Sequence, residues 1–369
     1  MPKRTRVRKV TRFPVSYEGW AIAAEKAVKP GPFSYLHAPG GEGMAQRANY
    51  EAFYKWRLIP RVLRDMSRVD ISVTLFGSRI PAPILLAPVG SQTMYHPRGE
   101  LESSTAAASK GIPFILSTYS SKTIEDVAKA MGDSTRWFQL YPSSEPEINA
   151  SLLHRAKSSG YTAVVMTVDR GRYPQYELIP DYKPTGTANY YSDPVFLSRT
   201  EKFRGKEEIQ EYLTRVRQST SFSWSDLDFV KRESGLPVIL KGIVNPKDAE
   251  LALTYDVDGL IVSNHGARHQ DGVCATMDAL PEVLEIVQGK IPVLLDSGIR
   301  GGVYAVKALA LGASAVDFGH LYIYALSVGG EAGVRKVIEN LISEMEVALA
   351  FCGCTSISEL DRSVIRRYD

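Results

Sequence analysis

From Pro83 onward the chain repeats one rhythm. A short apolar run ends abruptly in polar or glycine residues. A longer stretch follows with apolar positions every three or four residues, and then the next apolar run begins. The runs fall at residues 84–87, 114–116, 137–140, 163–168, 238–240, 259–262, 293–295 and 315–318. They are too short for helices, and their spacing predicts eight strands. Stretches 121–131, 146–159, 246–255, 277–288 and 303–311 carry the helical period and predict the connecting helices. Strands that alternate with helices pair in parallel, and eight such units close on themselves. The expected fold is α/β: a single (β/α)8 TIM barrel.

The rhythm breaks once. Nearly seventy residues separate Asp169 from the strand at Val238, rich in Tyr, Pro, Ser and charge. Residues 207–218 read as a helix and the rest as a long loop over the barrel mouth, after the fourth strand. Before the barrel, residues 45–58 read as a helix, and residues 331–350 as a long terminal one. The division expected is a basic N-terminal extension over 1–32 and one barrel domain over 33–369.

Bulk properties narrow the class. The 369 residues are 44% hydrophobic and 23% charged with a net charge of +3, values of an ordinary globular chain with a large core. That balance argues against nucleic acid or a membrane as the main partner, and no apolar stretch approaches the ~20 residues of a membrane helix. Three cysteines, Cys274, Cys352 and Cys354, do not make a disulfide framework, and no His or Cys cluster completes a metal site, so no metal is expected. The first dozen residues are basic (Lys3, Arg4, Arg6, Arg8, Lys9, Arg12) with no apolar segment after them. They read as a solvated tail on a cytoplasmic protein, a mitochondrial address being the alternative.

In such a barrel the chemistry lies where strands end. Read in order, those ends hold Pro88, Val89 and Gly90; Ser117 and Tyr119; Gln139 and Tyr141; Thr167 and Asp169; Lys241; Ser263, Asn264, His265 and Arg268; Asp296, Ser297, Gly298 and Arg300; and Gly319 and His320. A base candidate, three cations and two carboxylates in one ring exceed what a scaffold needs. The last two turns are glycine-bearing and lead into helices, the usual barrel phosphate site. A phosphorylated cofactor lying across the mouth is therefore expected. His37, His96, His154 and His269 read as structural or solvated.

Five of these motifs, in order and each at a strand end, resemble the flavin-dependent 2-hydroxy-acid oxidase and dehydrogenase family. They are Ser263-Asn264-His265-Gly266-x-Arg268-x-x-Asp271-Gly272, Phe138-Gln139-Leu140-Tyr141, Thr167-Val168-Asp169, Leu240-Lys241-Gly242 and Asp296-x-Gly298-x-Arg300. The similarity spans about residues 33–365, and its branch is that of lactate 2-monooxygenase. The resemblance implies FMN as cofactor, a small L-2-hydroxy acid as substrate, oxygen as acceptor and a homo-oligomer, tetrameric or octameric. It implies that His265 removes the substrate proton with Asp169 behind it, and that Arg268 grips the carboxylate. Tyr35 and Tyr141 touch the substrate, and Tyr119 and Tyr176 stand beside it. Lys241 serves the pyrimidine end of the flavin. Pro88, Val89, Gly90, Ser117, Gln139, Thr167 and Ser263 line the flavin. Asp296 takes the ribityl chain, and Ser297, Gly298, Arg300, Gly319 and His320 the phosphate. Gly90, where oxidase relatives carry alanine, implies extra space beside the flavin and hence retention of the keto acid for oxidative decarboxylation.

Four positions depart from the family pattern. Tyr176 stands where a second carboxylate-binding arginine is usual, leaving Arg170 or Arg172 as replacements. His320 replaces an arginine, Ser297 a glycine in the phosphate turn, and Ala267 a glycine beside Arg268. A serine in the turn either donates its hydroxyl to the phosphate or strains the backbone. Two alternatives stay open: an oxidase or dehydrogenase for a bulkier acid, and a catalytically degenerate barrel that only binds.

Overall fold

The computed structural model describes residues 12–169, 179, 185–217 and 219–368. Its centre is a closed barrel of eight parallel strands. They are β1 (Ile84–Leu86), β2 (Phe114–Ser117), β3 (Arg136–Leu140), β4 (Val164–Thr167), β5 (Val238–Lys241), β6 (Gly259–Val262), β7 (Val293–Leu295) and β8 (Ala315–Phe318). Neighbours follow chain order, and β8 returns to β1 through Val316 opposite Ile84 and Phe318 opposite Leu86. Every strand lies within two residues of its expected place.

Strand parity explains both the packing and the site. Side chains alternate across a strand. One set points outward: Ile84, Leu86, Phe114, Leu116, Leu240 and Phe318 join the large cluster that the surrounding helices cover. The other set points inward: Leu85, Ile115, Trp137, Ala163, Val165, Ile239, Ile261, Leu294 and Ala315 form a separate cluster. A hairpin (Val73–Leu75 with Ser78–Ile80) adds Leu75 and Ile80 to it and so closes the barrel's N-terminal end. One step further along the inward set the chemistry changes abruptly. Ser117, Gln139, Thr167, Lys241, Ser263, Asp296 and Asp317 are all buried, yet all are polar. Burial of so many polar groups is costly unless they are partnered. That layer is the floor of the site.

Three expectations need correction. The helix expected over 45–58 ends at Tyr54, and Trp56–Leu58 instead forms a strand paired with Ile365–Arg367. The terminal helix is longer, His320–Phe351, with a kink at Gly330 where φ is +56°. The helix expected over 207–218 is present as Lys206–Val216, but more of the expected loop after β4 is helical: Ala188–Tyr191, Pro194–Thr200 and Leu227–Ser234. Asp193 caps the second of these through the backbone N–H groups of Val195 and Phe196, at 3.0 Å each, and Phe196 is fully buried. Tyr176, Arg170 and Arg172 lie outside the described residues. Within residues 1–32, the helix Tyr17–Ala27 buries Trp20 completely. No helix among the described residues is long and apolar enough to cross a membrane.

Candidate active site

At the C-terminal end of the barrel the strand ends surround a cavity of about 620 Å³. Tyr35, Pro88, Val89, Gly90, Ser117, Tyr119, Tyr141, Lys241, His265, Arg268, Asp296, Ser297, Gly298, Arg300, Gly319 and His320 all line it. Gln139, Thr167, Asp169 and Ser263 support that wall from behind: Gln139 receives the Ser117 hydroxyl at 3.1 Å, and Ser263 the Lys241 ammonium.

The turn after β6 carries the base. His265, Gly266 and Ala267 follow one another at φ +58°, +65° and +56°. A left-handed conformation costs a non-glycine residue roughly 1–2 kcal/mol, so two of the three are strained, as functional turns often are. Other groups hold the turn. The Asn264 side chain accepts from Ala267 N–H at 3.0 Å, Ser263 from His265 N–H at 3.1 Å and Ser297 from Gly266 N–H at 2.9 Å. Asn264 and the buried Asn49 exchange two amide hydrogen bonds, 2.8 and 2.7 Å. Ser297 is itself left-handed, at φ +66°, and donates to Asp296 at 2.8 Å. Its hydroxyl ties the two turns together, so of the two roles expected for it the strained backbone is present and the hydroxyl faces protein.

The turn places His265 between two partners. Its Nδ1 lies 2.9 Å from Asp169 Oδ1 and its Nε2 lies 3.2 Å from the Tyr141 hydroxyl. The carboxylate fixes the proton on Nδ1, which leaves Nε2 as the acceptor facing the cavity. Burial raises the Asp169 carboxyl above its ordinary range, with Lys241 pulling it back. The Lys241 ammonium donates to Ser263 at 2.7 Å and to Asp296. Burial alone would depress it, but Asp296, Asp317 and Asp169 together push it above its ordinary value, so it is a permanent cation in the floor.

Arg268 is oriented by backbone carbonyls: Nη2 donates to Tyr35 at 2.5 Å, and Nη1 to Leu36 and Ala38 at 2.9 and 3.1 Å. Its guanidinium stacks over the Tyr35 ring at 4.7 Å. At the phosphate end Arg300 is sandwiched between Tyr17 and Tyr50, 4.4 and 4.0 Å from their centroids. Gly298, at φ +108°, makes the turn before the helix Gly302–Leu311. His320 begins its own helix, and burial, then the Arg268 charge, push its imidazole down to about 3. It is neutral at physiological pH, so Arg300 is the cation of that end.

One expectation fails here. A Cβ on Gly90 would lie 2.6 Å from the Tyr119 carbonyl oxygen and 3.2 Å from Tyr119 Cβ. Glycine is there because the second strand end crowds it, and the extra space expected beside the flavin is absent. Several residues of the site escaped the sequence reading. His269 stacks on His265 at 3.9 Å. Tyr17 and Tyr50 hold Arg300. Arg217 lies over Tyr119, which in turn stacks on Tyr141 at 5.0 Å. Asp317, inward on β8 and fully buried, belongs to the residues around the cavity floor. Inward parity on β8 could have found Asp317; nothing local marks the others.

The comparisons agree with this geometry. Residues 24–367 match the model of the FMN-dependent dehydrogenase family. The chain belongs to that family. Its relatives include an L-lactate oxidase of Lysinibacillus sphaericus, 41% identical over 354 residues and covering 94% of this chain and 92% of that one. Another is 2-hydroxyacid oxidase 1 of Mus musculus, 36% identical over 346 residues, covering 91% and 92%. Among solved structures, a putative lactate oxidase of Pediococcus acidilactici superimposes with a TM-score of 0.86 at 28% identity, covering 96% and 95%. A mandelate oxidase does so at 0.84 and 31%, covering 96% and 98%. The family's cofactor is FMN, and the cavity fits it. Its floor offers unpartnered buried polar atoms, Gln139 Nε2 and both Asp317 carboxyl oxygens, and its far end an arginine beside a glycine turn at a helix start.

Proposed function

We propose that this member of the FMN-dependent family oxidises a small L-2-hydroxy acid to its 2-keto acid, with oxygen as the electron acceptor and hydrogen peroxide as the second product. The observation that carries the reading is the His265–Asp169 pair at 2.9 Å, with Nε2 turned to the cavity beside Tyr141 and Arg268.

Arg268 and Tyr35 bind the substrate carboxylate, a charge-assisted contact of roughly 1.5–3 kcal/mol. Tyr141 orients the hydroxyl toward His265. Nε2 accepts the proton that the substrate must lose, and Asp169 stabilises the resulting imidazolium through Nδ1. When bound, FMN would supply the two-electron sink for the substrate carbon, with oxygen as the final acceptor. Asp296, Gly298 and Arg300 would hold its ribityl phosphate end, and Lys241 its ring edge. Arg217 is the cation that the wall of the two stacked tyrosines offers, in place of the arginine missing at Tyr176.

Oxidative decarboxylation, the reaction of the lactate 2-monooxygenase branch, drew its support from space beside Gly90. With that space filled by Tyr119, the simpler oxidase stoichiometry is the better reading. Measuring peroxide, keto acid and carbon dioxide together on L-lactate turnover tests this. One peroxide per keto acid supports it, whereas carbon dioxide without peroxide assigns the monooxygenase reaction. An FMN-loaded protein that turns over no 2-hydroxy acid leaves the degenerate barrel.

A further inference from the structure

Asp169 holds two imidazoles, and the mechanism above uses only one. Its Oδ1 lies 2.9 Å from Nδ1 of His265, and its backbone carbonyl lies 3.4 Å from Nδ1 of His269. A carbonyl oxygen only accepts, so Nδ1 of His269 carries the proton of that bond. The intervening turn, left-handed from His265 to Ala267, brings the second ring back over the first. Their centroids are 3.9 Å apart and their planes 29° from parallel, which is face contact. Tyr119, Tyr141, His265 and His269 run as one column of near-parallel rings, at 20°, 26° and 29° between successive planes. The Tyr141 centroid is 6.4 Å from that of His265 and its hydroxyl faces Nε2, so Tyr141 meets the base at its edge and His269 meets it at its face. Hydrogen bonds at the two edges fix where the nitrogens lie but leave the ring free to tilt. Proton transfer needs the Nε2 lone pair aimed at the substrate, and that lone pair lies in the ring plane. His269 is half-buried and borders the cavity, so it also screens the covered face from water.

We propose that His269 is a positioning residue for the proton transfer. Its ring fixes the plane of His265 and takes no proton itself. An aromatic face also favours a cation laid against it, so the contact strengthens as His265 becomes an imidazolium. Stabilisation that grows along the reaction speeds the step instead of tightening substrate binding. The inference rests on His265 being the base.

The experiment separates the ring from its hydrogen bond. His269→Gln keeps an amide donor for the Asp169 carbonyl and removes the ring, whereas His269→Phe keeps a ring and removes the donor. Each FMN-loaded variant is mixed rapidly and anaerobically with L-lactate or L-mandelate, whichever bleaches the wild-type flavin faster, over a range of concentrations. The series gives the limiting rate of flavin reduction separately from the dissociation constant of the substrate. His269→Gln should lower the limiting rate about three- to tenfold, the worth of an aromatic pair, and leave the dissociation constant and FMN affinity within about twofold. His269→Phe should stay within about twofold of wild type in rate. In a His265→Ala background, His269→Gln should change the residual rate less than about twofold, because the residue acts through the base. His269→Gln as fast as wild type, His269→Phe as slow as His269→Gln, or the same loss in the background without His265 overturns the proposal. So does a loss confined to the dissociation constant, which would make His269 a substrate contact. Wild-type protein bleached by neither acid, or His265→Ala bleached as fast as wild type, would instead refute the base, and the inference with it.

Discussion

Replacing Asp169 by asparagine keeps the shape behind His265 and removes only the charge. At an N···O separation of 2.9 Å the carboxylate stabilises an imidazolium proton by roughly 6 kcal/mol at an effective dielectric of about 20. Both side chains keep some solvent, 20% exposed for His265 and 14% for Asp169, so half of that value is the more realistic loss. About 3 kcal/mol in the proton-transfer step is about a hundredfold in rate. The assay is anaerobic rapid mixing with L-lactate, following the bleaching of the flavin bands. The resting spectrum and FMN affinity should not change. A pH series adds a second readout. The pair must be one proton short to act as a base, and burial raises the Asp169 carboxyl. Wild-type reduction should therefore slow on acidification, starting above the ordinary carboxylate range, and the Asp169→Asn variant should lack that limb. A reduction rate within threefold of wild type would refute the role assigned to the pair.

Three further outcomes follow from the geometry. Gly90→Ala should cost about 1–3 kcal/mol of stability, because its methyl meets the Tyr119 carbonyl, and should leave the ratio of peroxide to keto acid as in wild type; an unchanged melting temperature would contradict it. Arg300→Gln should weaken FMN about 10- to 100-fold, from the loss of a contact of roughly 1.5–3 kcal/mol, and leave riboflavin binding unaltered; equal losses for both would move the phosphate elsewhere. His320 titrates ordinarily near 6.5 and in the fold near about 3, so the unfolded chain binds the extra proton between those values and stability falls as pH drops below 6.5. In phosphate-free buffer the apoprotein should lose about 2 kcal/mol from this group by pH 5. His320→Gln should flatten the decline, while His37 and His96, also depressed by burial, leave a residual slope.

The barrel was legible because one signal, a short apolar run cut off by polar residues, occurs eight times at helix-bearing intervals. The same signal located the chemistry, since the residue that ends each run is set by strand parity to face the axis. Lys241, Ser263 and Asp296 became visible in that way. Asp317 did not, because it sits within an apolar run as the third residue of Ala-Val-Asp-Phe and looked like strand interior. Trp56–Leu58 was misread for another reason: its partner strand is about three hundred residues away, and a local period cannot report so distant a pairing. His269, Tyr17 and Arg217 reach the cavity from loops and the N-terminal helix, whose paths the alternation does not encode. Gly90 was misjudged in a third way. A missing methyl group is read from sequence as space, but whether space exists depends on the neighbouring strand end, here the Tyr119 carbonyl.

One spectrum decides whether His265 and its partners remove the proton of an L-2-hydroxy acid whose electrons pass to FMN. The FMN-loaded protein is mixed anaerobically with L-lactate, and then with L-mandelate, beside the His265→Ala variant. The flavin bands should bleach in the wild-type protein with at least one of the two acids and persist in the variant. Bands that persist in the wild-type protein with both acids, or bleach equally fast in the variant, would contradict it.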